Sequence, residues 1–180
     1  MPEPLTSDVF QSALAEAKRV HLAGDFERAR RLYDNILAHN PDEPGPLVML
    51  AELDMREGRL MTARKRLEFV AARHPEVLEV RVALASVLEE LGDTSATTAL
   101  YEQETRRLPE QKDNWVNLAG SLQTAGRIDE AVKTFRYVAD TWPDTISGFF
   151  GLAAIDPTLL KPEDVAQVRR LAADERAPII

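Results

Sequence analysis

The chain has 180 residues, and its 44% hydrophobic and 29% charged content is typical of a folded protein, which excludes wholesale disorder. Its formal net charge of −8 argues against a nucleic-acid partner, because an acidic protein repels a phosphate backbone. The absence of cysteine excludes disulfides, thiolate metal sites and thiol nucleophiles. With no basic leader and no apolar run of about 18–20 residues, the chain is predicted to be cytoplasmic, without membrane insertion.

Three residue types recur at an interval of 34 residues from the first predicted helix onward. The glycines are Gly24, Gly58, Gly92 and Gly126; the prolines are Pro41, Pro75, Pro109 and Pro143; the alanines are Ala17, Ala51, Ala85, Ala119 and Ala153. A fixed period of this size is typical of stacked supersecondary units. The chain is therefore predicted to be a repeat protein.

Each recurring residue has a physical role in a pair of helices. Glycine supplies the positive φ that ends one helix and permits a tight turn into the next. Proline ends the second helix, because it lacks an N–H and drives the preceding residue out of helical geometry. Between them the apolar spacing is helical, as in Ile128, Ala131, Phe135 and Val138. The alanines leave room for two helices to approach closely.

These units resemble the tetratricopeptide repeat over about residues 8–155. Trp115 matches the large residue early in the family's first helix, and Tyr33 and Phe135 match the aromatic position of its second helix. The resemblance implies an all-α fold, a right-handed superhelical solenoid of antiparallel helix pairs. Four full repeats are expected at about 10–43, 44–77, 78–111 and 112–145.

The C-terminal part departs from the repeat. A partial fifth unit is expected at 146–160, because Asp156 and Pro157 end its first helix early. A capping helix is predicted at 162–175, with Pro162 at its first position and Glu163 and Asp164 near its positive end. The single solenoid would thus span 8–175, with tails at 1–7 and 176–180.

Repeat three fits the family pattern least well. Arg81 stands at a large apolar position, Thr97 at a small one, and Glu104 at a small or apolar one. Two interpretations remain open: a shifted helix with Glu104 turned to solvent, or a flexible joint or contact point. Asp54 and Glu16 also replace apolar residues and carry the same ambiguity.

The sequence contains no motif of catalytic or cofactor chemistry. Its three histidines, His21, His39 and His74, do not form a metal-binding pair, and the glycines are spaced as turns rather than as a phosphate-binding loop. His39 and His74 are instead expected in the last turns of second helices, where an imidazole is favoured. We predict a chain that is not an enzyme and that has no cofactor and no metal.

In the resembling family the first helices line a concave groove that binds a peptide or protein segment. The corresponding groove positions here are Leu14, Lys18, Val48, Glu52, Met55, Val82, Ser86, Glu89, Val116, Gln123 and Phe150. The apolar members form a stripe with mostly acidic sides, interrupted by Lys18 and Arg56. The stripe either seals neighbouring helices or accepts a peptide, and acidic sides favour basic or mixed partners.

A second charged surface is predicted on the second helices of the first two repeats. Its six cations are Arg28, Arg30, Arg31, Arg64, Lys65 and Arg66. Such a strip is either a solvated face or a contact for an acidic partner or a second subunit.

The sequence therefore favours a protein–protein interaction scaffold or adaptor with an unidentified protein or peptide partner. A homo-oligomer is compatible with this prediction. The alternative is the repeat segment of a larger enzyme, because residues 149–173 are similar to the junction in bacterial repeat-containing sulfotransferases. Their catalytic domain is not in this chain.

Overall fold

The computed structural model describes residues 5–173, and that part of the chain is entirely helical, with no strand. It divides between Gly92 and Asp93 into an N-terminal unit and a C-terminal unit. The helices of the N-terminal unit are α1 Ser7–Leu22, α2 Phe26–His39, α3 Pro44–Arg56, α4 Leu60–Arg73 and α5 Leu78–Glu90. Those of the C-terminal unit are α6 Thr94–Arg107, α7 Lys112–Thr124, α8 Ile128–Thr141, α9 Ser147–Ile155 and α10 Pro162–Ala173.

The glycine of each predicted turn has the expected backbone conformation. Gly24, Gly58, Gly92 and Gly126 have φ values of +83°, +73°, +68° and +75°. At Gly58 the N–H donates to the Met55 carbonyl at 2.8 Å, and the next N–H, of Arg59, reaches the Asp54 carbonyl at 2.7 Å. These are the two hydrogen bonds of a Schellman motif, which satisfies the carbonyls at the end of α3.

The prolines end the second helices as the sequence predicts. Helix α2 ends at His39, and Asn40, directly before Pro41, has left the helical region with φ −130° and ψ 75°. Leu108 before Pro109 has φ −134° and ψ 69°. The proline ring excludes helical geometry at the residue before it, so the same backbone change recurs in every full repeat.

The N-terminal unit is held together by a core at the centre of its first three helices. Ala17 and Val20 of α1 pack against Ala29, Tyr33 and Ile36 of α2 and against Leu50 and Leu53 of α3. Ala17 and Ala29 are fully buried at sites where any larger side chain would push the helices apart. Of the alanines predicted from the repeat, Ala17, Ala51 and Ala119 are fully buried, whereas Ala153 is only partly buried.

The C-terminal unit depends on an unusually close approach of α8 and α9. Ala139 and Phe135 of α8 pack with Phe149 and Leu152 of α9. A Cβ atom at Gly151 would lie 2.3 Å from the Phe135 ring, and one at Gly148 would lie 2.4 Å from the backbone nitrogen of Ala139. The 34-residue pattern does not assign these two glycines a role.

Helix α10 begins at Pro162, as predicted, and is anchored to α8 by Arg136. The guanidinium donates to Oδ2 of Asp164 at 2.7 Å and to the Leu159 carbonyl at 2.6 Å. Burial opposes ionisation of Asp164, but Arg136 and the Lys161 N–H outweigh it and lower the pKa of this carboxyl. Val168 and Leu171 pack against the core of the unit. Residues 174–175 of the predicted helix and both predicted tails apart from 5–7 lie outside the described residues.

The predicted solvent orientation of Glu104 in repeat three is wrong. Glu104 is only 6% exposed, and its carboxylate accepts from Arg107 at 3.0 Å, one turn later in α6. Arg81 is also buried and donates to the Pro75 carbonyl, while Thr97 donates to the Asp93 carbonyl at 2.9 Å. Internal polar partners allow these side chains to occupy buried sites in place of apolar residues.

Candidate functional site

The predicted groove positions are divided between the two units. We call the exposed sides of α1, α3 and α5 the N-terminal binding surface, and those of α7 and α9 the C-terminal binding surface. The sequence pattern places all these positions in one stripe. Within each unit, however, the side chains differ strongly in exposure, and this decides which of them a partner could contact.

Three apolar groove positions belong to the N-terminal unit. Leu14 is partly buried and packs against the core of α1, α2 and α3, and Val48 is only 4% exposed. Val82 on α5, in contrast, is 58% exposed. Packing between helices accounts for the burial of Leu14 and Val48, whereas the side chain of Val82 is accessible to a partner.

The apolar groove positions of the C-terminal unit show the same contrast. Val116 is partly buried in α7, whereas Phe150 on α9 is 67% exposed. Gly151 follows Phe150 directly and packs against the Phe135 ring, so the chain around this exposed aromatic side chain is tightly held. Gln123 lies partly buried near the end of α7.

The polar groove positions are mostly exposed, as a binding surface requires. Lys18, Glu52, Ser86 and Glu89 are exposed, and Met55 is partly buried. The Ser86 hydroxyl donates to the Val82 carbonyl at 3.1 Å, one turn earlier in α5. That hydroxyl is thus already used within its own helix, which leaves the charged positions as the stronger recognition groups.

Glu52 belongs to a polar cluster that the sequence did not predict. Nδ1 of His21 lies 3.3 Å from the hydroxyl of the fully buried Tyr33. Burial and the Glu52 charge raise the pKa of Tyr33 to about 12. The Glu52 side chain is exposed overall, but surrounding protein atoms desolvate its carboxyl and raise its pKa, an effect that His21 partly opposes. An internal ion pair would have lowered that pKa.

Aromatic contacts hold the rest of this cluster. The His21 ring meets Phe26 edge-to-face, with ring centroids 5.6 Å apart. The guanidinium of Arg56, on α3 one turn beyond Glu52, lies 4.1 Å from the Phe26 ring centroid. This cation–π contact gives Arg56 a defined position at the Phe26 ring. The only hint in the sequence was the assignment of Glu52 to a groove position.

A second charged cluster surrounds Asp54, which is 1% exposed. Its carboxylate accepts from Arg30 at 3.0 Å, from Arg59 at 2.9 Å and from Arg66 at 3.3 Å. Glu57 pairs with Arg30 and Arg59, and their hydrogen bonds lower the pKa of its carboxyl. Asp54 therefore joins the helices around it and is not available to a partner.

The predicted basic strip is only partly a solvated face. Arg30 and Arg66 bind Asp54 as described, Arg28 pairs with Glu16 at 3.2 Å, and Arg64 pairs with Glu68 at 2.7 Å. Arg31 and Lys65 are exposed. Ion pairs within the protein thus neutralise four of the six cations of the basic strip.

The remaining histidines border a shallow surface pocket. It is lined by His39, Asn40, Pro41, Asp42, Glu43, Pro44 and His74. His39 is the last residue of α2 and His74 directly follows α4, close to the helix ends at which they were expected. Among residues 5–173 no group of three or more metal-ligating side chains is suitably placed to hold an ion.

Residues 21–75 match the family model of the tetratricopeptide repeat. A crystal structure of MamA protein has a TM-score of 0.70 over 97% of this chain and 100% of its own, at 17% identity. Repeats of a putative kinesin light chain from Podospora anserina have a TM-score of 0.66 over 94% of this chain and 97% of their own, at 19% identity. At such identities these structures show the tetratricopeptide-like solenoid fold alone.

Two longer proteins are similar to part of this chain. Cellulose synthase 1 operon protein C of Komagataeibacter xylinus is 30% identical over 122 residues, which are 66% of this chain and 9% of that protein. Cellulose synthase operon protein C of Xanthomonas axonopodis pv. citri is 28% identical over 118 residues, 64% of this chain and 7% of that protein. The chain thus spans less than a tenth of these curated relatives, and the similarity of residues 149–173 to sulfotransferases stays a prediction.

No helix within residues 5–173 combines the length and the apolar character needed to cross a bilayer.

Proposed function

We propose that the chain is a protein–protein interaction scaffold, in which the N-terminal and C-terminal binding surfaces each contact a peptide or protein segment. The observation that carries this proposal is the exposure of Val82 and Phe150, at 58% and 67%, on the first helices. A large apolar side chain costs free energy in water, and burial under a partner recovers about 1.5–3 kcal/mol for each.

The titratable groups of the N-terminal unit also support binding in place of chemistry. The titratable cluster of His21, Tyr33 and Glu52 is formed from one helix pair and the next, and its buried tyrosine has a pKa of about 12, far from that of a general base at neutral pH. Repeat folds of this type ordinarily offer extended binding surfaces. We therefore propose no catalytic residue and no cofactor for this chain.

The lengths of the curated relatives favour a second candidate. The segments that match this chain form less than a tenth of much longer proteins, so a similar sequence also occurs as part of larger proteins. This chain would then supply the binding segment of a larger assembly, and the names of those relatives suggest the product of a cellulose synthase operon. The sulfotransferase alternative has no such support.

A charge placed at each exposed apolar position tests the proposal. Val82→Glu combined with Phe150→Glu should reduce capture of specific partners at least 10-fold, because two apolar anchors worth about 1.5–3 kcal/mol each are lost. Capture from an extract of the source cells is quantified by mass spectrometry. Val116 is less suitable than Phe150, because it is partly buried and its substitution would disturb the fold.

The matched control is Met61→Glu, since Met61 is also 54% exposed but lies on the second helix α4. The control should capture the same partners as the wild type, and all variants should keep the helical circular dichroism spectrum. Undiminished capture by the double variant would rule out these two surfaces as the binding sites.

A further inference from the structure

Some carboxylates of the N-terminal unit form ion pairs with arginines and others do not, and this difference bears on the chemistry of a binding partner. Asp54, Glu57 and Glu16 each pair with at least two arginines, at distances such as 3.0 Å from Arg30 to Asp54 and 3.2 Å from Arg28 to Glu16. Glu52 forms no ion pair or hydrogen bond among the described residues, although surrounding atoms desolvate it. A partly desolvated anion without a cation is destabilising, and an incoming cation would relieve that cost.

The nearby cations do not supply that partner. Arg56, the other exposed residue of α3, is held over the Phe26 ring at 4.1 Å. Lys18 of α1 is exposed and makes no ion pair among the described residues. His21 faces Glu52 and also contacts the Tyr33 hydroxyl at 3.3 Å. The charge interaction with His21 lowers the pKa of Glu52, but burial of the carboxyl raises that pKa by more.

Helix α5 adds further negative charge to the N-terminal binding surface, whose exposed cations Lys18 and Arg56 lie on the other two helices. The exposed residues of α5 include Glu79, Glu89 and Glu90, and no cation is exposed on this helix. The exposed Val82 lies between Glu79 and Glu89. An apolar side chain flanked by carboxylates suits a segment with alternating apolar and basic residues, since each of its side chains then meets a complementary group.

We infer that the N-terminal binding surface recognises a basic peptide segment, with a lysine or arginine side chain of the partner paired to Glu52 and an apolar side chain on Val82. This inference rests on the proposed function, because it names the chemistry of the partner at one of its two surfaces. Glu52 is the position at which specificity for a cation is set, and Val82 supplies apolar affinity that does not distinguish basic from neutral peptides.

Synthetic peptides test the inference without knowledge of the natural partner. The probes are a blocked, fluorescent nine-residue peptide of alternating leucine and arginine and two analogues with glutamine or glutamate in place of arginine. Fluorescence anisotropy measures their dissociation constants at about 0.15 M salt, where surface electrostatics are screened beyond about 8 Å. The arginine peptide should bind the wild type at least 5-fold more tightly than the glutamine peptide, and the glutamate peptide should bind most weakly.

Two variants of equal charge change locate the effect. Glu52→Gln should weaken binding of the arginine peptide about 5-fold or more and leave the glutamine peptide unaffected. Glu27→Gln, at an exposed carboxylate on the second helix α2, should leave both dissociation constants unchanged. In ¹⁵N-labelled wild-type protein, the arginine peptide should shift the amide resonances of His21, Glu52 and Met55.

The outcomes separate this inference from the proposed function. If Glu52→Gln binds the arginine peptide as tightly as the wild type, or if the arginine and glutamine peptides bind equally, the basic specificity is refuted. The function would still stand in that case if Val82→Glu weakens both peptides. Absence of binding by all peptides up to 1 mM, a concentration that corresponds to about −4 kcal/mol, also overturns the inference; partner capture then tests the function separately.

Discussion

At the scale of single residues, Asp54 shows how a buried charge is accommodated at a repeat position that ordinarily has an apolar side chain. Three guanidinium groups from α2, α4 and the turn between α3 and α4 reach its carboxylate within 3.3 Å. A buried ion pair has little net value relative to a well-packed apolar group, but the loss of one partner leaves an uncompensated charge. Substitution of Asp54 should therefore destabilise the fold, although this buried residue is not accessible to a binding partner.

We predict an unequal response on the two sides of this cluster. Asp54→Asn should lower the free energy of unfolding by about 3 kcal/mol, because all three arginines lose their shared anion. Arg66→Met should cost only about 1 kcal/mol, because Arg30 and Arg59 still neutralise Asp54. Urea denaturation followed by circular dichroism measures both values, and equal losses would contradict the central role of Asp54.

At the scale of helices, two kinds of glycine have opposite consequences. Those in the turns supply positive φ, and a Cβ atom added there would have no heavy atom within 4 Å, whereas Gly148 and Gly151 have helical geometry and no space for one at all. The first kind follows from local backbone preference. The second follows from how closely α9 approaches α8, which only packing determines.

A pair of glycine-to-alanine substitutions separates these effects within the C-terminal unit. Gly151→Ala should destabilise the protein by about 1–3 kcal/mol, because the new methyl group would overlap the buried Phe135 ring. Gly120→Ala lies in the interior of α7 with no atom within 4 Å of the added carbon, and should stabilise by up to about 1 kcal/mol. Thermal unfolding should therefore show shifts of opposite sign, and a loss of stability at Gly120 would contradict the open space there.

At the scale of the whole molecule, stability is distributed between two units that each have a core of their own. In repeat proteins each unit depends mainly on its neighbours, so local opening can differ along the chain. Local opening is easiest to follow at helix α10, because the interactions that attach it are few. They are the Arg136–Asp164 ion pair and the apolar contacts of Val168 and Leu171.

The lowered pKa of Asp164 gives this attachment a predictable pH dependence. A carboxyl with a lower pKa in the folded protein stabilises it above the ordinary aspartate pKa, and that contribution is lost as the pH falls through the lowered value. Hydrogen exchange of α10 amides, corrected for intrinsic rates, should therefore accelerate below about pH 4. Arg136→Met should exchange about 10-fold faster at neutral pH and lack the acid step; an unchanged acid step would assign it to other groups.

The candidate site was only partly predictable from the sequence. The 34-residue period places Leu14, Val48 and Val82 at equivalent positions, but it does not distinguish the buried Val48 from the exposed Val82. That difference arises because α3 is covered on more sides than α5 within the N-terminal unit. Similarly, the basic strip was visible in the sequence, whereas its ion pairs with Asp54 and Glu16 depend on residues from other helices.

The sequence by itself determined the features that depend on local backbone chemistry. Glycine at positive φ, proline after a helix and a 34-residue period require no distant contact, so helix ends and the repeat type could be derived from residue order. The tertiary structure alone decided the burial of Glu104, the arginine partners of Asp54, the close contact of Gly151 with Phe135, and the desolvation of Glu52. Each of these depends on which side chains of separate turns or helices meet, and the repeat period does not specify that.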